Sequence, residues 1–113
     1  RRVLFRSLIE ARIPKVNNEK SLNPLTRQLL ADKLATLHQL ALADGQIVKT
    51  GALLIVPATN QVITKDGQVA TGLFSCGIPT EGIHWLTAAA ARPGVDPWNM
   101  RDMDRIAATI FNS

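Results

Sequence analysis

The spacing of hydrophobic positions changes several times along the chain, and each change predicts an element. Residues 3–14, VLFRSLIEARIP, alternate in part and stop at Pro14, the pattern of a strand. Residues 15–23, KVNNEKSLN, are polar and rich in turn formers, which predicts a loop. From Pro24 the period lengthens. Leu25, Leu29, Leu34, Leu37 and Ala41 recur at steps of three to five, the stripe of an amphipathic helix. Asn23 is placed to cap that helix, and Pro24 suits its first position, where no N–H is needed. Gly45 is placed to close it in a left-handed conformation, so the expected helix runs to about residue 45.

Beyond Gly45 the texture becomes β. IVKTGALLIVP ends at Pro57, with ALLIV as its most strand-like part. QVITKDGQVA, residues 61–70, sets Asp66-Gly67 between short β-branched runs, the signal for a hairpin with φ > 0 at both central positions. TGLFSCG, residues 71–77, predicts a short buried strand, and two helices are expected after it, over 83–91 and 97–111. Asp96 can cap the last helix and Pro97 can open it. Met100, Met103, Ile106, Ala107, Ile110 and Phe111 make one apolar face, expected to dock on a sheet; Arg101, Asp102, Asp104 and Arg105 fall largely off it. No internal repeat is expected.

Composition narrows the class. At 113 residues, 46% hydrophobic and 19% charged, the chain is of ordinary globular make-up and about one domain long. Its apolar runs are too short to span a bilayer, and Arg1, Arg2 and Arg6 break up the only early run that could resemble a secretory signal, so no membrane partner is expected. A single cysteine forms no internal disulfide, which predicts a reducing, cytoplasmic setting. His38 and His84 lack second ligands at metal-binding spacing, so no metal is expected. The net charge of +4 is gathered toward the start, where eight of thirteen basic residues lie at or before Lys33. With Phe5 as the sole aromatic there, a solvated surface is a better reading than a nucleic-acid site. The chain opens at Arg1 inside what reads as a strand, which predicts a piece of something longer.

The candidate chemistry sits in Cys76-Gly77-Ile78-Pro79-Thr80-Glu81-Gly82. A strand entering a glycine-bearing turn and then a helix can present unpaired backbone N–H groups and a partial positive charge to a ligand. Gly77 and Gly82 would permit close approach, Pro79 stiffens the turn, and Thr80 can cap a helix beginning near Glu81; alternatively the helix begins at Gly82 or Ile83. The same parts also serve as a plain structural crossing. Glu81 opposes a bare phosphate, and a neutral heterocycle that gains charge during chemistry suits the site better. His84 has two readings, a locally hydrogen-bonded packing residue or a proton donor lining the pocket. Trp85 reads as a core or cofactor-wall aromatic, and Cys76 as an inert small hydrophobe.

The stretch DGQVATGLFSCGIPTEGIHWLTAAAARPGVD resembles the C-terminal part of bacterial FAD/NAD(P)-binding flavoproteins. LIEARIP, SLNPLTRQLLADKLA and GALLIVPATNQVITKDG resemble upstream pieces of the same family. That resemblance implies a C-terminal fragment of a Rossmann-like α/β fold, with short strands, a hairpin and about three helices. Residues 1–113 would be one partial domain: 1–45 on the substrate or cap side, and 46–113 supplying the hairpin, the FAD-facing strand–loop–helix and the closing helix. It implies an FAD-dependent, NAD(P)-linked oxidoreductase with a small-molecule substrate. Gly72, Leu73 and Phe74 would match the family's strand and Gly77 its cofactor-facing glycine. Gly77, Ile78, Pro79, Thr80, Glu81, Gly82, Ile83 and Trp85 would contact the flavin, and His84 would be catalytic. Ile78 stands where many members carry an Asp for the ribityl chain. No GxGxxG fingerprint is present, so the resemblance places the pyrophosphate site in an N-terminal dinucleotide-binding part outside this chain, and the 113 residues alone are expected to be inactive. The alternative is a small non-enzymatic α/β binding module.

Overall fold

The structure, a computed structural model, describes residues 15–85 and 93–112. The strand expected over 3–14, and residues 86–91 of the helix expected over 83–91, lie outside the described residues.

A 3-10 turn at Asn18–Lys20 leads into helix α1, Pro24–Ala31. Its start follows the sequence. The Asn23 side chain accepts the Leu25 N–H at 2.9 Å, and Pro24 occupies the first position. Its end does not, because the helix stops fourteen residues before Gly45. Lys33 takes φ 62°, the Lys33 N–H reaches the Leu30 carbonyl at 3.2 Å, and the Leu34 N–H reaches the Leu29 carbonyl at 2.9 Å. Those two bonds form a Schellman cap with a lysine in the left-handed seat that glycine usually fills.

Leu37 and Ala41, expected to continue the helix, instead enter strand β1, Leu37–Ala41, which pairs antiparallel with β2, Ile47–Leu53. Gly45 turns this hairpin: its N–H bonds to the Leu42 carbonyl at 3.0 Å, and the Leu42 N–H bonds to the Gln46 carbonyl at 2.8 Å. The hairpin of β3, Gln61–Ile63, and β4, Val69–Phe74, uses the same device. Gly67 N–H bonds to the Thr64 carbonyl at 3.0 Å, and Thr64 N–H to the Gln68 carbonyl at 2.9 Å. In both turns the glycine alone has positive φ, 83° and 81°, so each is a three-residue loop closing on a glycine bulge and not the two-residue turn expected at Asp66-Gly67.

The likeness extends past the turns. Asp44-Gly45-Gln46 is followed by Thr50-Gly51, and Asp66-Gly67-Gln68 by Thr71-Gly72. Both Gly51 and Gly72 have positive φ, and both sit where the strand register is irregular. The two hairpins are thus variants of one pattern, a repeat obscured by a one-residue difference in spacing. A bridge between Ile55 and Val62 joins them, with the Ile63 N–H on the Leu54 carbonyl at 3.0 Å. Ala35, Leu53, Ile55 and Val62 form the buried cluster there, flanked by Leu29, Leu30, Leu37, Ala70, Leu73 and Ile83. The expected α/β composition, with short strands and hairpins, is what the described residues contain: two two-stranded antiparallel sheets and two α-helices.

Helix α2 spans Trp98–Phe111 and departs from expectation in its cap and its face. Pro97 is the cap residue and makes no side-chain capping bond, while the Asp96 carboxylate accepts from Arg101 Nε at 2.6 Å. The residue that α2 buries is Asp102. Met100, Met103, Ile110 and Phe111, the anticipated docking face, are exposed.

Candidate functional site

Strand β4 delivers the chain to Ser75, where Asn60 holds it. The Ser75 N–H bonds to the Asn60 carbonyl at 2.9 Å, and Asn60 Nδ2 donates to the Ser75 carbonyl at 3.1 Å. Asn60 is fully buried and adopts φ 61°, which asparagine tolerates better than bulkier residues. Two residues on, Gly77 takes φ 75° and ψ −150°, a combination open essentially to glycine alone.

From Gly77 the backbone makes a 3-10 turn, Ile78–Thr80. The Thr80 N–H and Oγ1 both donate to the Gly77 carbonyl, at 3.0 and 2.8 Å. Thr80 therefore closes a turn behind it and caps nothing ahead. Glu81 is extended, with φ −62° and ψ 124°, and Gly82 has φ 117°. The Ile83 and His84 N–H groups return to the Thr80 carbonyl at 3.0 and 3.2 Å. No helix begins at Glu81, Gly82 or Ile83, which corrects the expected helix start: the charge assigned to a helix N-terminus is not supplied by residues 77–85.

This loop has a packed side and an open side. On the packed side, Asn18 Nδ2 donates to the Gly51 carbonyl at 2.8 Å and to the Pro79 carbonyl at 3.1 Å, tying the loop to β2. Thr80 is fully buried and Ile83 packs on the core cluster. A Cβ at Gly82 would stand 3.3 Å from Thr50 and 3.6 Å from Ala52, so the smallness of Gly82 serves contact with β2. Pro79 and Glu81 are half-buried between the two sides. On the open side, Ile78 and Trp85 are exposed, and a Cβ at Gly77 would meet nothing within 4 Å. Of the two glycines singled out in the sequence, Gly77 is the one with space in front of it.

His84 meets a partner that the sequence pattern did not indicate. Its Nδ1 lies 3.1 Å from Asp102 Oδ2, with the imidazole 9% exposed and the carboxylate fully buried. Arg105 Nη1 donates to Asp102 Oδ1 at 3.1 Å and to the Pro57 carbonyl at 3.3 Å. Each carboxylate oxygen thus has a nitrogen partner, as the burial of such a group requires. Cys76 lies near this group. Burial first, and the negative charge of Asp102 second, push its thiol above its ordinary value and keep it protonated at neutral pH. That agrees with the inert cysteine expected from sequence. Among the described residues no cluster of three or more His, Cys, Asp or Glu side chains could hold a metal ion. No helix among them is long and apolar enough to cross a membrane.

With this geometry in hand, the comparisons give the site a context. No family model matches the chain. It is 33% identical over 112 residues to an L-aspartate N-monooxygenase (nitrosuccinate-forming) of Streptomyces davaonensis, covering 99% of this chain and 17% of that protein. It is 36% identical over 112 residues to a nitrosuccinic acid synthase of Aspergillus oryzae, covering 99% and 16%. A second L-aspartate N-monooxygenase, from Streptomyces cremeus, is 33% identical over 104 residues, covering 91% and 16%. The chain resembles one part of larger oxidoreductases. It spans about one sixth of the length of these relatives.

Proposed function

We propose that this chain is a C-terminal segment of an FAD-dependent N-monooxygenase that oxidises the amino group of a small amino acid, with L-aspartate as the first candidate. The observation that carries this reading is the similarity over 99% of the chain to enzymes named for that reaction. The loop fits a flavin in one specific way. Gly77 leaves open space where any side chain would intrude, and the exposed side chains of Ile78 and Trp85 stand on the same loop. Gly77, Ile78 and Trp85 would line the isoalloxazine, with Pro79 and Glu81 at its margin. Thr80, Gly82 and Ile83 would support them from the packed side. These residues would hold the flavin, whose chemistry when bound would be electron transfer from NAD(P)H to dioxygen in the whole enzyme.

The chain's own contribution is shape and a proton site. The turn 77–80 holds its backbone by internal hydrogen bonds and the Asn18 clamp, so a ring can approach without reorganising the loop. His84 supplies an imidazole held against Asp102, a ring with a nitrogen that can give or take a proton. Exposed apolar side chains, among them Trp85, Met100, Met103 and Phe111, support the view that the dinucleotide-binding part of the same polypeptide covers this surface. No nucleic acid or membrane partner enters this reading, and its setting is cytoplasmic.

The test is made on the full-length enzyme. Purified protein should carry the flavin absorbance band and convert L-aspartate to nitrosuccinate with NAD(P)H and dioxygen. Gly77→Val should lose most of its bound FAD while keeping its far-ultraviolet circular dichroism. Unchanged flavin occupancy in that variant would refute close approach at Gly77.

A further inference from the structure

A carboxylate is the one residue that α2 buries, on a helix whose Met100, Met103, Ile110 and Phe111 stay exposed. Sequestering Asp102 costs free energy unless its oxygens are paired, and each has a nitrogen partner at 3.1 Å. Arg105 Nη1 donates to Oδ1, and a carboxylate oxygen accepts but has no proton to give. A donor must then stand on the other side. The nitrogen 3.1 Å from Oδ2 is His84 Nδ1, so that nitrogen carries a proton.

We propose that Asp102 is a positioning residue for His84. It fixes the imidazole with Nδ1 protonated, which leaves Nε2 as the ring position where a proton is taken up or released at the site. Arg105 completes the arrangement by cancelling the carboxylate charge, so a neutral His84 leaves the trio without net charge and a protonated one leaves it at +1. Among the described residues, the charged and titratable groups facing Asp102 are His84 from the loop, Arg105 from its own helix and the Cys76 thiol just past β4. The contact also spans chain segments: the oxygens that orient His84 belong to α2, so seating of α2 and readiness of the loop are one event. This inference rests on the reading that loop 77–85 lines the cofactor.

The tautomer can be read without any variant. Long-range nitrogen–hydrogen correlation spectra of the histidine-labelled full-length enzyme should show the His84 signal with Nδ1 as the protonated ring nitrogen at alkaline pH. A signal with Nε2–H and a bare Nδ1 would overturn the proposal. In Asp102→Asn the side chain keeps its shape, and the tautomer preference should weaken or reverse. Turnover should fall at least ~10-fold with KM for the amino acid little changed and FAD occupancy retained. Turnover that survives unaltered in a folded Asp102→Asn enzyme, with the tautomer reversed, would also overturn it. Loss of the Gly77 result with the tautomer intact would instead remove the cofactor reading alone.

Discussion

A side chain placed at Gly51 would collide with the Val16 carbonyl oxygen, and φ 83° there already disfavours any Cβ. Gly51→Ala should therefore destabilise by more than the ~1–3 kcal/mol of backbone strain alone, read as a lowered unfolding midpoint. Gly77→Ala carries similar strain without the collision, and should fall within that range. Single residues were legible in the sequence where their chemistry is local. Asn23 and Pro24 start a helix in any context, and a lone thiol at the end of a strand is inert wherever it is buried. Asn18, Asn60 and Asp102 were not legible, because a polar side chain becomes structural only when a distant carbonyl or imidazole arrives beside it. The Cys76 thiol gives a pH prediction with a definite sign. Its folded value is raised, so its contribution to stability is complete below the unfolded thiol's value and is lost as the pH rises through the folded one. Unfolding midpoints measured across mildly alkaline pH should fall for the wild type relative to Cys76→Ala.

At the scale of elements, boundaries failed where two signals competed. Leu34, Leu37 and Ala41 keep a helical interval from Leu25, and that interval runs up to Gly45, so the Asp44-Gly45 turn reads as a helix end. The helix is closed by a lysine, a residue that carries no left-handed signature, and Leu37 and Ala41 then fall in a strand. The crossing at 77–85 failed for a related reason: Thr80 was a plausible cap, but its hydroxyl bonds backward to Gly77 and not to a following turn. The Asn18 clamp ties the loop to β2 beside the loop's own hydrogen bonds. Asn18→Ala would leave the Gly51 and Pro79 carbonyls without that donor, costing about 1–3 kcal/mol. Amide exchange across residues 77–85 of the full-length protein should quicken, while exchange in the β1–β2 turn should not.

For the molecule as a whole, the apolar surface is out of proportion to the core. The buried hydrophobic residues described are Ala35, Ala52, Leu53, Ile55 and Val62, while Met103, Ile110 and Phe111 stand in the open on α2. If the larger enzyme covers that face, Met103→Glu should destabilise the full-length protein by more than about 2 kcal/mol, the scale for burying an unpaired polar group. A thermal midpoint within error of wild type would show the face to be solvated. The twin hairpins carry a different consequence. Because one turn chemistry occurs twice in the same chain, each copy is the other's internal control. Gly45→Ala and Gly67→Ala impose the same backbone penalty in turns where an added Cβ meets nothing within 4 Å. Any difference in how far the two substitutions unfold the enzyme measures how strongly each hairpin's surroundings hold it, a comparison that needs no second protein.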